Sequence, residues 1–448
     1  MAWLPDGMTE RLYSAANRKP TSLLQEPAAK SSRTHMFASV SRYFRFIADN
    51  KALLGFGLLM AFGSSFGQSF FVGLYQAPLR EAFDLTASGF GAAFSAVTLV
   101  SAAILPWTGR VIDQVSLRAY TAGTILILAG ATLVLAFNSY FALFIVALFA
   151  LRHVGQGLMS HTSSTAMGRY FTPNRGKAVT IASTGYSLGE ALFPAMALAI
   201  IALVGWRLSW AVHAGTLLLI FLPAALWLVW REPAHEKDTP KDTNHPARTL
   251  TSARDWTRAE VIRDPRFYVL IPAMMAPAFI LTGFFVHQGF LATSKDWPIE
   301  LVAAGFSTFA IVKLVSSLFV GPFADRFGFR PLMALYMVPL ALSMLSLALI
   351  DASIGVFLYF GLAGLSTGGA MAVGGLLWPE LYGTKHLGAI RSLSTSLMVF
   401  STALAPVTFG ALIDLGISAE GIALISLGYA AIAVALLLAF LWNEKKST

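Results

Sequence analysis

"GPFADRFGFR", residues 321–330, is a polar decapeptide in an otherwise apolar chain, and a degraded version, "GRVIDQVSLR", stands at residues 109–118. The two copies lie 212 residues apart at Gly109 and Gly321, at Asp113 and Asp325, and at Arg118 and Arg330. The same shift carries Gln76 onto Gln288, Gly157 onto Gly369, Tyr170 onto Tyr382, Gly176 onto Gly388, and "ALFP" (191–194) onto "ALAP" (403–406). Matches of Ala, Leu and Gly arise by chance in this composition. Polar and proline matches at one fixed spacing are harder to obtain, so one unit is written twice.

The rest of the chain says what that unit is. Mean hydropathy is +0.66, with 56% hydrophobic and 12% charged residues among 448, too few polar side chains to cover a soluble surface. Apolar runs of about 20 residues match a hydrocarbon core about 30 Å thick. They fall near 53–75, 88–108, 119–137, 141–165, 178–203 and 208–230, and again near 267–290, 300–321, 332–350, 353–378, 388–413 and 419–442. The predicted fold is an all-α membrane protein of twelve transmembrane helices in two six-helix bundles. Six is even, so both copies enter from the same side and form parallel 6+6 repeats about a pseudo-twofold axis along the membrane normal. The expected organisation is an N-terminal segment (1–52), a first bundle (53–230), a charged linker (231–266), a second bundle (267–442) and a tail (443–448). Within the linker, "TRAEVIRDPRF" has the apolar spacing of a surface-lying helix. "MFASVSRYFRFIADN" before the first span reads equally as an interfacial helix or an irregular lead-in.

Charge sorts by side. Of 32 Lys and Arg, 27 fall in the segments that share a side with the linker, three outside (Arg80, Arg207, Lys295) and two within spans (Arg152, Lys313). The positive-inside rule places both termini in the cytoplasm, in a multi-pass protein of the cell (inner) membrane. The formal charge of +9 is thereby topological and calls for no nucleic-acid partner. The polar, basic stretch before the first span is not expected to act as a secretory leader. With no cysteine there is no disulfide or thiolate metal site, and neither cofactor nor metal ion is expected.

Ionisable residues inside spans carry the functional signal, because a charge at the bilayer centre costs several kcal/mol unless paired, hydrated or used. Arg152 lies about 11 residues into the fourth span, Glu190 about 12 into the fifth and Lys313 about 13 into the eighth, all near mid-depth at about 1.5 Å per residue. A short loop joins spans four and five, which makes an Arg152–Glu190 pair easy to form. Two cations against one carboxylate leave a positive surplus that an anionic ligand neutralises. Glu190 is a candidate proton carrier, since burial and a nearby cation pull a carboxylate in opposite directions; the alternative is a permanent structural pair. Gln156, one turn from Arg152, is a further binding candidate.

"GPFADRFGFR", with Gly321, Asp325, Arg326, Gly328 and Arg330, resembles the signature of the major facilitator superfamily. The N-terminal copy keeps Gly109, Asp113 and Arg118 but has Gln114 and Ser116 at signature positions. "YFTPNRGKA" with Arg175, and "LGAIRSL" with Arg391, extend the resemblance. It implies a secondary transporter working by alternating access, in which these loop residues latch the cytoplasmic gate. It also implies that the first helix of each half borders the central path, so that Gln68, Tyr75, Gln76, His287 and Gln288 line an outer cavity. "FGQSFFVGLYQAPLREAFDLTASGFG" is similar to the first loop of monocarboxylate and oxalate–formate transporters. There a span-eight cation four residues before the signature glycine meets the substrate carboxylate; here that position is Ser317, and Lys313 lies one turn further out.

The expected function is a carrier of a small organic anion, proton-coupled or exchanging, acting as a monomer in the bilayer. Alternatives are an exporter of amphipathic drugs or metabolites and a non-transporting sensor. An enzyme is not expected: the chain holds no HExxH, no phosphate loop and no loop long enough, apart from the linker, for a catalytic domain.

Overall fold

The protein is described by a computed structural model over residues 43–171, 174–230, 254–327 and 329–447. Side chains at 321–322, 324–325, 327, 329–330, 372 and 443–447 lie outside the described set. Internal contacts divide the chain into Met1–Lys51 and Ala52–Thr448. In the first unit residues 43–49 are helical; everything below concerns the second.

Among the described residues every regular element is helical, and eleven helices are long and apolar enough to cross a membrane. In chain order they are α1 (Lys51–Leu74), α2 (Ala87–Asp113), α3 (Leu117–Phe137) and α4 (Phe141–Tyr170), then Arg175–Leu228, and after the linker α7 (Pro265–Val286), α8 (Ile299–Val320, continuing to Phe327), α9 (Pro331–Leu349), α10 (Ile354–Tyr382), α11 (Leu387–Asp414) and α12 (Ala419–Trp442). The element Arg175–Leu228 is two spans. Gly205 interrupts it at φ +77° and ψ 162°, a conformation that costs glycine little and any side chain much. It is therefore divided into α5 (175–204) and α6 (206–228), which completes twelve spans.

The repeat is written in the backbone as well. Asp84 and Asp296, again 212 apart, both turn left-handed at φ 51°. Each follows a short helix, Gln76–Ala82 and Gln288–Ser294, that caps the first span of its half. Outer faces carry large apolar side chains such as Leu203, Leu219 and Phe137. Trp107, Trp227, Trp230 and Trp442 stand exposed near the span ends on the linker side, where amphipathic rings form an interfacial belt. Inside, each half is filled by packed rings: Phe66, Phe71, Phe193 and Phe221 meet edge-to-face in one, while in the other Phe285 meets Phe306 edge-to-face and Phe360 lies tilted against Phe306 and stacked on Phe285.

Within the linker, in the stretch expected to form a surface-lying helix, Arg258–Arg263 is helical and starts with a capping box between Thr257 and Glu260. Backbone and side-chain bonds from Thr257 hold the Glu260 carboxyl below its usual range. Asp255 accepts from the backbone of Thr384 (3.1 Å) and Lys385 (3.2 Å), which ties this segment to the loop between α10 and α11.

The three cations remote from the linker side are all engaged. Arg80 donates to the Leu85 carbonyl and Arg207 to that of Asn138. Lys295 is fully buried and bonds Asp351 at 2.5 Å and Glu420 at 2.8 Å, stapling the loops before α8 and α10 to the first turn of α12. Burial alone would lower the Lys295 ammonium; the two carboxylates outweigh it and raise it above the ordinary value of 10.5. A raised folded value means the staple is fully present below the unfolded value and fades only as pH climbs through the folded one. Lys295→Met is expected to cost about 1–3 kcal/mol, discounted because Asp351 is largely exposed. Thermal unfolding in detergent should fall by a few degrees at pH 7; an unchanged midpoint contradicts the staple.

Candidate functional site

The first span is not continuous. Its helix ends at Gly63, a 3-10 turn covers Ser64–Gly67, Gln68 is extended at φ −76° and ψ 152°, and the helix restarts at Ser69. Gly and Ser crowd this stretch, "GSSFGQS" (63–69), where apolar helix formers would be expected. Opposite it, α4 widens into a π-helical segment over Leu151–Met159, a form that recurs at functional sites.

Arg152 sits on that widened segment and is buried, at 3% exposure. Its Nη1 donates to the Gly67 carbonyl at 2.7 Å and its Nε to Thr98 Oγ1 at 3.0 Å. The guanidinium lies 4.4 Å from the centre of the Phe94 ring. Nη2 has no hydrogen-bond partner, and no carboxylate pairs with this arginine among the described residues. The charge is solvated by neutral groups only.

Glu190 faces the other way. The expected Arg152–Glu190 pair is not formed, because Glu190 projects from α5 onto α8 of the second half and takes Lys313 as its partner. Counting residues along a helix gives depth but not azimuth, and the azimuth decides here. The Lys313 ammonium lies 5.4 Å from the Phe309 ring centre; side-chain exposures of 10% for Lys313 and 17% for Glu190 mark a pair that is mostly but not wholly enclosed. One residue on, the Ala191 carbonyl accepts from Ser307 at 2.7 Å.

Depth is shared. Gly189 lies against Ser65 of the α1 break, and Gly67 of the same break holds Arg152, so Arg152, Glu190 and Lys313 occupy one layer. Two cations and one carboxylate remain its formal count. Gln68 and Gln156, on the facing segments of α1 and α4, are half-buried.

The other polar candidates on the first spans do not lie open. Tyr75 is fully buried; its hydroxyl is 2.8 Å from His213 Nε2 and accepts from Ser209 at 3.0 Å. Gln76, His287 and Gln288 bind the halves together. Gln76 Nε2 donates to His287 Nδ1 at 3.1 Å, His287 Nε2 to the Pro406 carbonyl at 2.9 Å, and Gln288 Nε2 to the Phe70 carbonyl at 2.6 Å.

Those bonds belong to a seam on the side away from the linker. Along it α2 lies on α11 and α5 on α8. Asp414 reaches from the end of α11 to the backbone N–H of Ala87 (3.0 Å) and Ser88 (2.8 Å), a carboxylate capping the partially positive start of α2. Sequence reasoning missed Asp414; its only signal is an acid at the outer end of an apolar run. Gly91 and Gly410 permit the contact. A Cβ on Gly91 would stand 2.6 Å from the Pro406 carbonyl carbon and 2.9 Å from Val407 Cα. Gly91→Val is therefore expected to open the seam. Overpacking costs about 1–3 kcal/mol, so a cysteine introduced at buried Phe70, in a chain that has none, should react about tenfold faster with an impermeant maleimide. Equal rates with and without the substitution contradict a seam set by this glycine.

The profile of the Major Facilitator Superfamily matches residues 57–307 and 276–448. The chain belongs to the Major Facilitator Superfamily. Among solved structures it is similar to the nucleoside transporter NupG, at 14% identity and TM-score 0.65 over 87% of this chain and 99% of that one. It is also similar to a bacterial homologue of the human lysosomal transporter Spinster in an inward-facing, occupied conformation, at 14% identity and TM-score 0.62 over 87% and 96%. At such identity the shared property is the fold. No protein of curated function matches the chain significantly.

The facilitator signature residues divide. Gly321, Asp325 and Arg330 have side-chain positions outside the described set, and Gly328 lies outside the described residues; Arg326 is exposed. In the N-terminal copy, Gly109 lies under His161, whose Nε2 is 3.2 Å from the Gly109 carbonyl. Asp113 pairs with Arg169 at the end of α4. Arg118 donates to the Val229 carbonyl at 3.0 Å and stacks over Trp230. The decayed loop, lacking the second Arg and Gly, turns that side chain toward the end of α6. Arg175 is exposed against Gly168, and Arg391 donates to the Gly375 carbonyl at 2.8 Å.

Proposed function

We propose that this facilitator carries a small organic anion with a carboxylate head, coupled to protons or to a counter-anion. One observation carries the reading: Arg152 is a buried guanidinium with a free Nη2 and no acid beside it. A charge there costs about 3 kcal/mol at the centre of a spanning helix, and a carboxylate ligand offsets that cost by neutralising it. Gln68 and Gln156 flank the same layer and supply polar contacts to the ligand. Phe94 and Phe309, each beside a cation, offer its apolar body a surface.

The coupling follows from who holds Lys313. In the state described, Glu190 neutralises it across the two halves. A substrate carboxylate that takes Lys313 leaves Glu190 as an unpaired, mostly enclosed carboxylate, the form that binds a proton. Neutral Glu190 no longer bonds α8 as a charge, and the halves are released to rock about the layer. With the linker side cytoplasmic, as the distribution of Lys and Arg favours, the seam through Asp414, Gly91, Gln76 and His287 is the outer gate and is closed. The two halves, 53–230 and 267–442, act as the moving bodies and one chain suffices. Asp113, Arg118, Arg169, Arg175 and Arg391, with the signature residues of 321–330, form the inner gate in this reading.

Purified protein tested by thermal shift against lactate, oxalate, succinate, uridine and a cationic dye at pH 6 and 8 checks the substrate class. A carboxylate should raise the midpoint, and more at pH 6 than at pH 8 if a proton is taken up with it. Stabilisation by uridine or the dye with none by any carboxylate overturns it.

A further inference from the structure

A groove of about 780 Å³ runs along the wall of the second half, between α8, α9 and α10. It faces outward: Ile311, Phe319 and Leu335 on its rim are each more than half exposed, as lipid-facing side chains are. Its lining is almost wholly apolar, with Val315, Val338 and Leu365 among the walls and Arg326 at the linker-side end of α8.

The dimensions fit one leaflet. From Ile311 to Phe323 the groove follows about 12 residues of helix, about 18 Å, against about 15 Å for half a hydrocarbon core. Its inner end is level with Lys313, at mid-depth, and its outer end reaches the height where headgroups begin. A slot that runs from midplane to interface and ends on a cation has the geometry of a single phospholipid, tail inward and phosphate outward. Basic sites between helices on this side of a bilayer select anionic headgroups.

We propose that this groove binds an acyl chain of an anionic phospholipid whose phosphate is held by Arg326. The groove backs directly onto the substrate layer, since Val312 and Ser316 line it while Lys313 between them faces Glu190. The bound chain thus buttresses α8 from behind at the level where the halves meet. The binding claim does not depend on the transported substrate.

Native mass spectrometry on full-length protein released from nanodiscs of equimolar phosphatidylglycerol and phosphatidylcholine tests it. The wild type should retain one phospholipid with phosphatidylglycerol preferred about tenfold. Arg326→Gln should keep a lipid but bring the ratio near unity. Val315→Trp, at a position exposed enough to accept the ring, should fill the slot and abolish retention, and Val338→Trp repeats the test from α9. Equal retention of the two lipids by the wild type, an Arg326→Gln ratio unchanged from wild type, or full retention in both tryptophan variants overturns the proposal.

Discussion

Carboxylate uptake into proteoliposomes is expected to fall by at least about 100-fold when Arg152 is replaced by glutamine. Among the described residues the buried guanidinium is the cation of the layer with no acid beside it, so a ligand carboxylate supplies a charge partner. Losing one member of an enclosed charge pair costs about 3–5 kcal/mol, and each 1.4 kcal/mol is tenfold. Arg152→Lys should sit between, near tenfold, because an ammonium keeps the charge but loses the planar fork that spreads donors over Thr98, Gly67 and the ligand. A competing role is visible in the same bonds, for Arg152 also closes the break in α1 through the Gly67 carbonyl. The two roles separate in a binding experiment: if Arg152 only braced the helix, the glutamine variant would unfold earlier yet still gain stability from the anion.

Neutralising the pair between the halves gives the second large effect. Glu190→Gln or Lys313→Met alone leaves a mostly enclosed charge unpaired and should destabilise by about 2–3 kcal/mol, reduced from the fully buried figure because both side chains keep some exposure. The double variant Glu190→Gln/Lys313→Met should recover most of that loss, which a pair of independent surface charges would not do. Transport distinguishes the partners further. Glu190→Gln is expected to retain counterflow of labelled anion while losing accumulation driven by a pH gradient; Lys313→Gln should raise KM tenfold or more. Gradient-driven accumulation that survives in Glu190→Gln assigns the proton elsewhere.

Architecture was written plainly in the chain because membrane insertion imposes length and hydropathy on every span, and the 212-residue repeat adds a second, independent constraint. The charged members of the candidate layer are legible for the same reason: Arg152, Glu190 and Lys313 stand out where charge is expensive. Their pairing was not. Depth follows from residue number, but the direction a side chain points depends on how helices rotate against neighbours, and the π-helical widening at 151–159 shifts that direction without a sequence mark. Arg152's neutral partners, Thr98 and a main-chain carbonyl, carry no charge signal at all. The α1 break left a trace in "GSSFGQS", and the seam through Asp414 left almost none, since a helix cap supplied by a distant segment is a tertiary event. Arg118 likewise meets a main-chain carbonyl, that of Val229, and the Trp230 ring, contacts that a sequence motif does not announce.

The central claim is that an enclosed, incompletely balanced positive layer draws an organic anion through the protein together with a proton. Proteoliposomes loaded with a pH-sensitive dye, clamped at zero potential and supplied with lactate, oxalate or succinate on one side, report it directly. One of these acids should acidify the lumen at a rate that saturates with anion concentration and vanishes in Arg152→Gln. Wild-type protein that moves uridine but none of the acids, or an Arg152→Gln variant that moves the acid at the wild-type rate, contradicts the account.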